Sequence, residues 1–123
     1  MKKFFKIVFL VFSSFAISQT TFDYQIQLTP KTIPNFPGIH SSAFAQHNGK
    51  WLLIGGRIDG IHARQPFNSF PAASNNTNIY VVDIATNQFW SASVNSLATP
   101  LKEQLQATNF NFYQDENTLY LIG

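Results

Sequence analysis

The sequence predicts an all-β fold of the β-propeller class, with about one and a half sheet units present in its 123 residues. Three observations lead there. Apolar residues alternate with period two or gather in short runs of β-branched and aromatic residues. Polar turns, one of them Asn48-Gly49, separate these runs. The order strand, connector, strand, tight turn, strand, glycine then appears twice along the chain.

The repeat sets Gly55 against Gly123, 68 residues on. Phe44 then falls on Phe112, Gln46 on Gln114, Leu53 on Leu121 and Ile54 on Ile122, and the polar turn 47–50 falls on 115–118. With small gaps, the preceding strand and its Thr-Pro stop recur too, at 22–30 and 88–100. A two-stranded hairpin does not bury its own apolar faces. Repeated four-stranded units do, when copies pack side by side around an axis. A sandwich of about seven strands is the other all-β solution, but its strands are not expected to recur as similar pairs.

Residues 1–18 read as a secretory signal peptide. Lys2, Lys3 and Lys6 precede the apolar run Ile7 to Phe12, and Ala16 and Ser18 stand three and one before a cut ahead of Gln19. A membrane anchor is the competing reading, but a span needs about 20 apolar residues and this run is far shorter. The expected location is therefore secreted, periplasmic or cell-surface, with no stable membrane span after cleavage. No cysteine occurs, which excludes disulfides, thiolate metal sites and a thiol nucleophile in this segment. The calculated pI near 9.1 owes much to the leader. Without it, five basic residues face six acidic ones, and no basic patch remains for nucleic acid.

Residues 19–39 form a lead-in. Phe22, Tyr24, Ile26 and Leu28 alternate with polar residues and predict a strand over 22–28, stopped by Thr29-Pro30. Pro34 and Pro37 predict an extended, non-helical linker. Residues 40–95 form the first unit. A strand over 42–46 turns at Asn48-Gly49 into Trp51 to Ile54, whose unbroken apolar run predicts burial on both faces. Gly55-Gly56 ends it. Arg57 to Asn78 is a long stretch without period, of the kind that is functional or disordered. Strands over 79–83 and 88–94 flank the turn Ala85-Thr86-Asn87. Residues 96–123 hold a connector and the first half of a second unit. Thr99 as cap with Pro100 behind it allows a short helix with Leu101 and Leu105 on one face, and an irregular loop is the alternative. Strands over 110–114 and 118–123 close the chain.

Residues 40–123 resemble a kelch repeat. The features that carry the resemblance are Trp51-Leu52-Leu53-Ile54-Gly55-Gly56, Tyr80 within Tyr-Val-Val-Asp, and Trp90 on the following strand. The glycine-to-tyrosine loop is longer than the family's, Trp90 stands one place late so that Phe89 competes for its slot, and the second copy stops before its second glycine. The resemblance implies a kelch-type propeller continuing beyond residue 123. The strand at 22–28 then becomes a displaced fourth strand that closes the ring. Gly55, Gly56, Tyr80, Phe89 and Trp90 are implied to be structural: the glycines leave room, and the rings of Tyr80 and Trp90 fill it.

No Ser-His-Asp set, P-loop or dinucleotide fingerprint is present, so no catalytic residue is assigned. His40, His47 and His62 have no metal spacing, and nothing points to a cofactor. The candidate ligand-binding group is Arg57, Asp59, His62, Arg64 and Gln65 in the long loop. Its arginines suit a carboxylate or acidic sugar, whereas a simple Arg57–Asp59 pair within the loop is the plainer alternative. Asn75-Asn76-Thr77 matches a glycosylation acceptor. The resemblance implies that this loop and the connector 95–109 emerge on one face. The expected function is an exported propeller module that binds a glycan or protein. The alternatives are part of a carbohydrate-active propeller enzyme, of the oxidase or sugar epimerase type, with its catalytic residues elsewhere, and a cell-surface interaction role.

Overall fold

The computed structural model describes residues 24–61 and 65–122. The proposed signal peptide, the start of the strand at 22–28, His62, Arg64 and Gly123 lie outside them. Among the described residues no helix is long and apolar enough to cross a membrane.

The described chain is mostly β. A four-stranded antiparallel sheet runs in simple up-and-down order: β1 (Ala43–His47), β2 (Lys50–Ile54), β3 (Asn78–Asp83) and β4 (Gln88–Ser93). A second, two-stranded sheet is formed by β5 (Asn111–Asp115) and β6 (Thr118–Ile122). One helix, α1 (Thr99–Leu105), lies between β4 and β5. Thr99 is its first residue rather than its cap, because Ala98 takes the cap position and accepts from the Lys102 N–H at 2.9 Å. Leu101 stays exposed, so α1 does not bury an apolar stripe.

The sequence repeat recurs in the backbone. Phe44 pairs with Leu53 in the first sheet, and Phe112 pairs with Leu121 in the second. Ser41 and Asn109 occupy the left-handed region at equivalent positions, with φ of 57° and 56°, as do Asn48 and Glu116 at 49° and 47°. At the first hairpin both turn residues are left-handed, Gly49 at 72°, which matches the right-handed twist of the strands it joins.

The two sheets pack face to back. Strand residues alternate between faces, so Ala43, Ala45, Leu52 and Ile54 share one face of the first sheet, and Phe44, Trp51, Leu53, Tyr80 and Val82 share the other. Ala45 and Ile54 are each only 7% exposed, whereas their equivalents Tyr113 and Ile122 are 66% and 69% exposed. The second sheet therefore covers the back of the first and leaves its own back open. Gln114 and Leu119, from its front, border one cavity with Ala45, Leu52 and Val81. The Gln114 carboxamide accepts from the Gln46 N–H at 2.8 Å and donates to the Gln46 carbonyl at 2.7 Å, acting as a one-residue strand partner for the edge of β1. Two backbone bonds join the same copies: Gly56 N–H to the Ala107 carbonyl at 2.9 Å, and Asn109 N–H to the Ser41 carbonyl at 3.0 Å.

Several expectations change. β2 is buried at Ile54 but exposed at Trp51, so burial on both faces does not hold. The front is covered only in part, by the segment 31–39. That segment is not simply extended: Asn35 is left-handed, and the Phe36 N–H bonds to the Ile33 carbonyl at 3.2 Å. The turn brings the Phe36 ring edge-on to Tyr80 and Phe89, with centroids 5.4 and 5.3 Å away. Phe89 holds the place beside Tyr80, while Trp90 points to the other face under the Lys50 ammonium, 5.3 Å from its centroid. The ring lying over Gly55 belongs to Phe110, not to Tyr80 or Trp90. Residues 24–28 form no strand, and Tyr24, Ile26 and Leu28 are exposed. A strand is held by ladder hydrogen bonds to a partner, which alternation of residues alone does not supply.

Candidate functional site

In an antiparallel sheet the start of β1, the end of β2, the start of β3 and the end of β4 lie at one end. The loop 55–77 and the connector 94–110 therefore leave the first sheet together, and Gly56 bonds directly to Ala107 there. Two short 3-10 turns, Pro66–Asn68 and Ala72–Ser74, give the long loop local order.

Arg57 organises this end. Its backbone bridges to His40 on one side and to Asn75 on the other. Its side chain is almost fully buried. Nε donates to Asp59 Oδ1 at 3.0 Å and Nη2 to Asp59 Oδ2 at 2.5 Å, a bidentate fork. Nη1 donates to Asn75 Oδ1 at 2.9 Å and Nη2 to the Pro71 carbonyl at 3.1 Å. The Phe70 ring lies 5.4 Å from the guanidinium carbon. Its fork is occupied by Asp59, so Arg57 ties Asp59, Asn75 and Pro71 together at the base of the loop.

Asp59 also meets His40 Nε2 at 3.4 Å. Hydrogen bonding from Arg57, chiefly, holds its carboxyl down at about 2 against an ordinary 3.8, with His40 adding to the effect. Gln65 stands exposed, its carbonyl accepting from Asn68 N–H and Ser69 Oγ. Of the five candidate residues, Arg57 and Asp59 are thus brought together, Gln65 starts the next turn, and His62 and Arg64 lie outside the described residues.

Sequence reasoning missed Asn76. It is buried; its Nδ2 donates to the carbonyls of Gly55 at 2.9 Å and Asn78 at 2.7 Å, and its Oδ1 accepts from Asn78 N–H at 3.0 Å. It ties the exit of β2 to the entry of β3. Its neighbour Asn75, the asparagine of the glycosylation match, is engaged by Arg57. Also missed were the exposed apolar residues of the loop: Ile61 is 100%, Phe67 84% and Ile58 51% exposed. The Ile and Phe residues scattered through an otherwise largely polar loop were the available signal. Among the described residues no group of three or more His, Cys, Asp or Glu is placed to hold a metal ion.

A second ion pair lies at the other end of the sheet. Lys50 Nζ bonds to Asp83 Oδ2 across the β2–β3 register, and Asp83 Oδ1 accepts from the N–H groups of Ala85 and Thr86 at 3.0 and 3.1 Å. These bonds, that from Lys50 first, hold the Asp83 carboxyl at about 2. Both Asp59 and Asp83 thus have folded values below 3.8. Their contribution to stability is present above that value and is lost as pH falls from about 3.8 towards 2. The melting temperature is expected to drop across that window, and Asp59→Asn and Asp83→Asn to flatten the drop. A profile unchanged by either variant overturns the assignment. Added salt shrinks the effect, because both carboxylates reach solvent.

No family model, curated protein or solved structure matches this chain.

Proposed function

We propose that this chain belongs to an exported kelch-like β-propeller that binds a glycan or protein ligand through its loop end. The observation that carries the reading is the face-to-back packing of two sheets at equivalent positions of a repeat, joined through β1 and β5. Such packing propagates by the same rotation from sheet to sheet, which is how propeller blades are arranged. The up-and-down order of the four-stranded sheet suits a blade. The exposed alternation of Tyr24, Ile26 and Leu28 suits a strand that pairs with the sheet closing the ring.

The loop end suits recognition. A buried arginine fixes the base of the loop, and exposed apolar residues stand along it. Loops held on a rigid sheet are the usual carriers of binding. An exposed phenyl ring such as that of Phe67 offers its face to the C–H groups of a sugar ring or to an apolar side chain. The partly exposed Asp59 carboxylate, ionised at neutral pH, supplies an acceptor for hydroxyl donors.

The test is a screen of immobilised glycans and of extracellular proteins with the chain and with Phe67→Ala and Ile61→Ser. The expected result is a ligand whose affinity falls at least about tenfold in Phe67→Ala, as for an aromatic hot spot, with the melting temperature unchanged. Binding equal to the parent in both variants, or no ligand at all, overturns the loop assignment.

A further inference from the structure

We propose that Phe70 and Asp59 form a subsite for one uncharged sugar residue, the ring stacking on the sugar and the carboxylate accepting from a hydroxyl. The proposal rests on the reading of the loop end as a binding surface. Phe70 stands in the left-handed region at φ of 56°. For a bulky side chain that is an outlier, and such strain persists only where the surroundings fix it. Arg57 fixes it twice. Its Nη2 holds the carbonyl of Pro71, the next residue, at 3.1 Å. Its guanidinium carbon also lies over the Phe70 ring, 5.4 Å from the centroid. The ring is nevertheless not put away, since Phe70 stays 56% exposed. A strained backbone that keeps an aromatic ring at the surface suits a binding surface set in advance of its ligand.

The same guanidinium places the acceptor. Nη2 also bonds Asp59 Oδ2 at 2.5 Å, so the carboxylate and the ring flank one planar group. Asp59 Oδ1 takes Arg57 Nε at 3.0 Å and faces His40 Nε2 at 3.4 Å. Among the described residues Oδ2 takes a side-chain donor from Nη2 alone. A carboxylate oxygen has two acceptor sites, so Oδ2 has room for one further donor. The Asp59 side chain is 20% exposed, which lets that donor come from solvent or a ligand. Arg57, 3% exposed and already paired with Asp59, offers no fork to an acid. An ionised acceptor beside an apolar ring selects a molecule with hydroxyl donors and a C–H face. It repels a carboxylate. An uncharged sugar meets these terms, and an acidic sugar does not.

The test is calorimetric titration with neutral hexasaccharides of glucose, mannose and galactose, and with hexagalacturonic acid. The proteins are the parent, Phe70→Gly, Phe70→Tyr and Asp59→Asn, each with its melting temperature. A neutral probe is expected to bind the parent, and the acidic probe to bind at least about tenfold more weakly. Phe70→Gly is expected to lose at least about tenfold in affinity, as for an aromatic hot spot. Its melting temperature is expected to equal or exceed the parent's, because glycine takes a positive φ without strain. Phe70→Tyr, which keeps the ring, is expected to bind as the parent does. Asp59→Asn is expected to narrow the gap between the neutral and the acidic probes, which a purely structural role for Asp59 does not do. Tighter binding of the acid, parent-like binding by Phe70→Gly, or an unchanged gap in Asp59→Asn overturns the proposal. So does a lower melting temperature in Phe70→Gly, since the ring then serves the fold. A protein ligand that needs Phe67, with every sugar probe failing, overturns this subsite and leaves the loop end a binding surface. No ligand of either kind overturns both.

Discussion

Gly55→Ala is expected to destabilise the chain by about 2–5 kcal/mol, the sum of left-handed backbone strain and overpacking. At φ of 67° a side chain is strained whatever the space around it. The new Cβ would also stand 2.3 Å from Phe110 Cε2 and 2.4 Å from the Ala107 carbonyl oxygen. Phe110 and Ala107 belong to the second copy of the repeat, so relief of the clash pushes the two sheets apart. Gly56→Ala acts instead within the first unit, with His40 O at 2.4 Å and Ser42 N at 2.9 Å, both backbone atoms with little freedom to retreat. Gly60→Ala is the control. Its φ is 66° but nothing lies within 4 Å, so only the strain of about 1–2 kcal/mol is expected. Urea unfolding of the three variants separates strain from close approach. Equal losses at Gly55 and Gly60 would show that the sheets do not meet at Gly55. Phe110→Ala in the Gly55→Ala background should recover only part of the loss, because the Ala107 carbonyl remains in place.

Arg57→Ala is expected to cost about 2–4 kcal/mol, at or below the range for breaking a buried ion pair, because its partner Asp59 reaches solvent. The truncation leaves Asn75 Oδ1 and the Pro71 carbonyl without the donor that held them, and it frees the base of the loop. Arg57→Lys is expected to recover little, since an ammonium lacks the planar fork that spans both Asp59 oxygens and Asn75 together. Thermal melting gives the loss. Hydrogen exchange locates it: the N–H groups of Ile58 and Asn76, which bond to Ser74 O and Gly56 O, should lose protection before those of β2 and β3. A melting curve within about 0.5 kcal/mol of the parent would class Arg57 as an ordinary surface residue and overturn its role as anchor.

Much of the strand pattern was legible in the sequence because it rests on local chemistry. The alternation of faces, the Asn48-Gly49 turn and the β-branched run at 79–83 each act within a few residues, and the observed strands fall within one or two residues of their expected places. The 68-residue repeat was legible for the same reason, and it reappears as matched registers and matched left-handed residues. The candidate site was legible only as a loop. That Arg57 pairs with Asp59 two residues on was one of two local readings, but its bonds to Asn75 and Pro71 depend on how the loop folds back, which no periodicity encodes.

The sequence by itself determined an all-β chain with one repeat, a glycine pair after its second strand, and no thiol chemistry. Only the tertiary structure decided which ring covers Gly55, which face of β2 stays open, and that the long loop hangs on a buried arginine. The physical reason is range. Turn conformation and alternation are set by neighbours along the chain, whereas the packing of a ring over a glycine or the filling of a guanidinium's donors is set by which distant segment fits there in shape and charge.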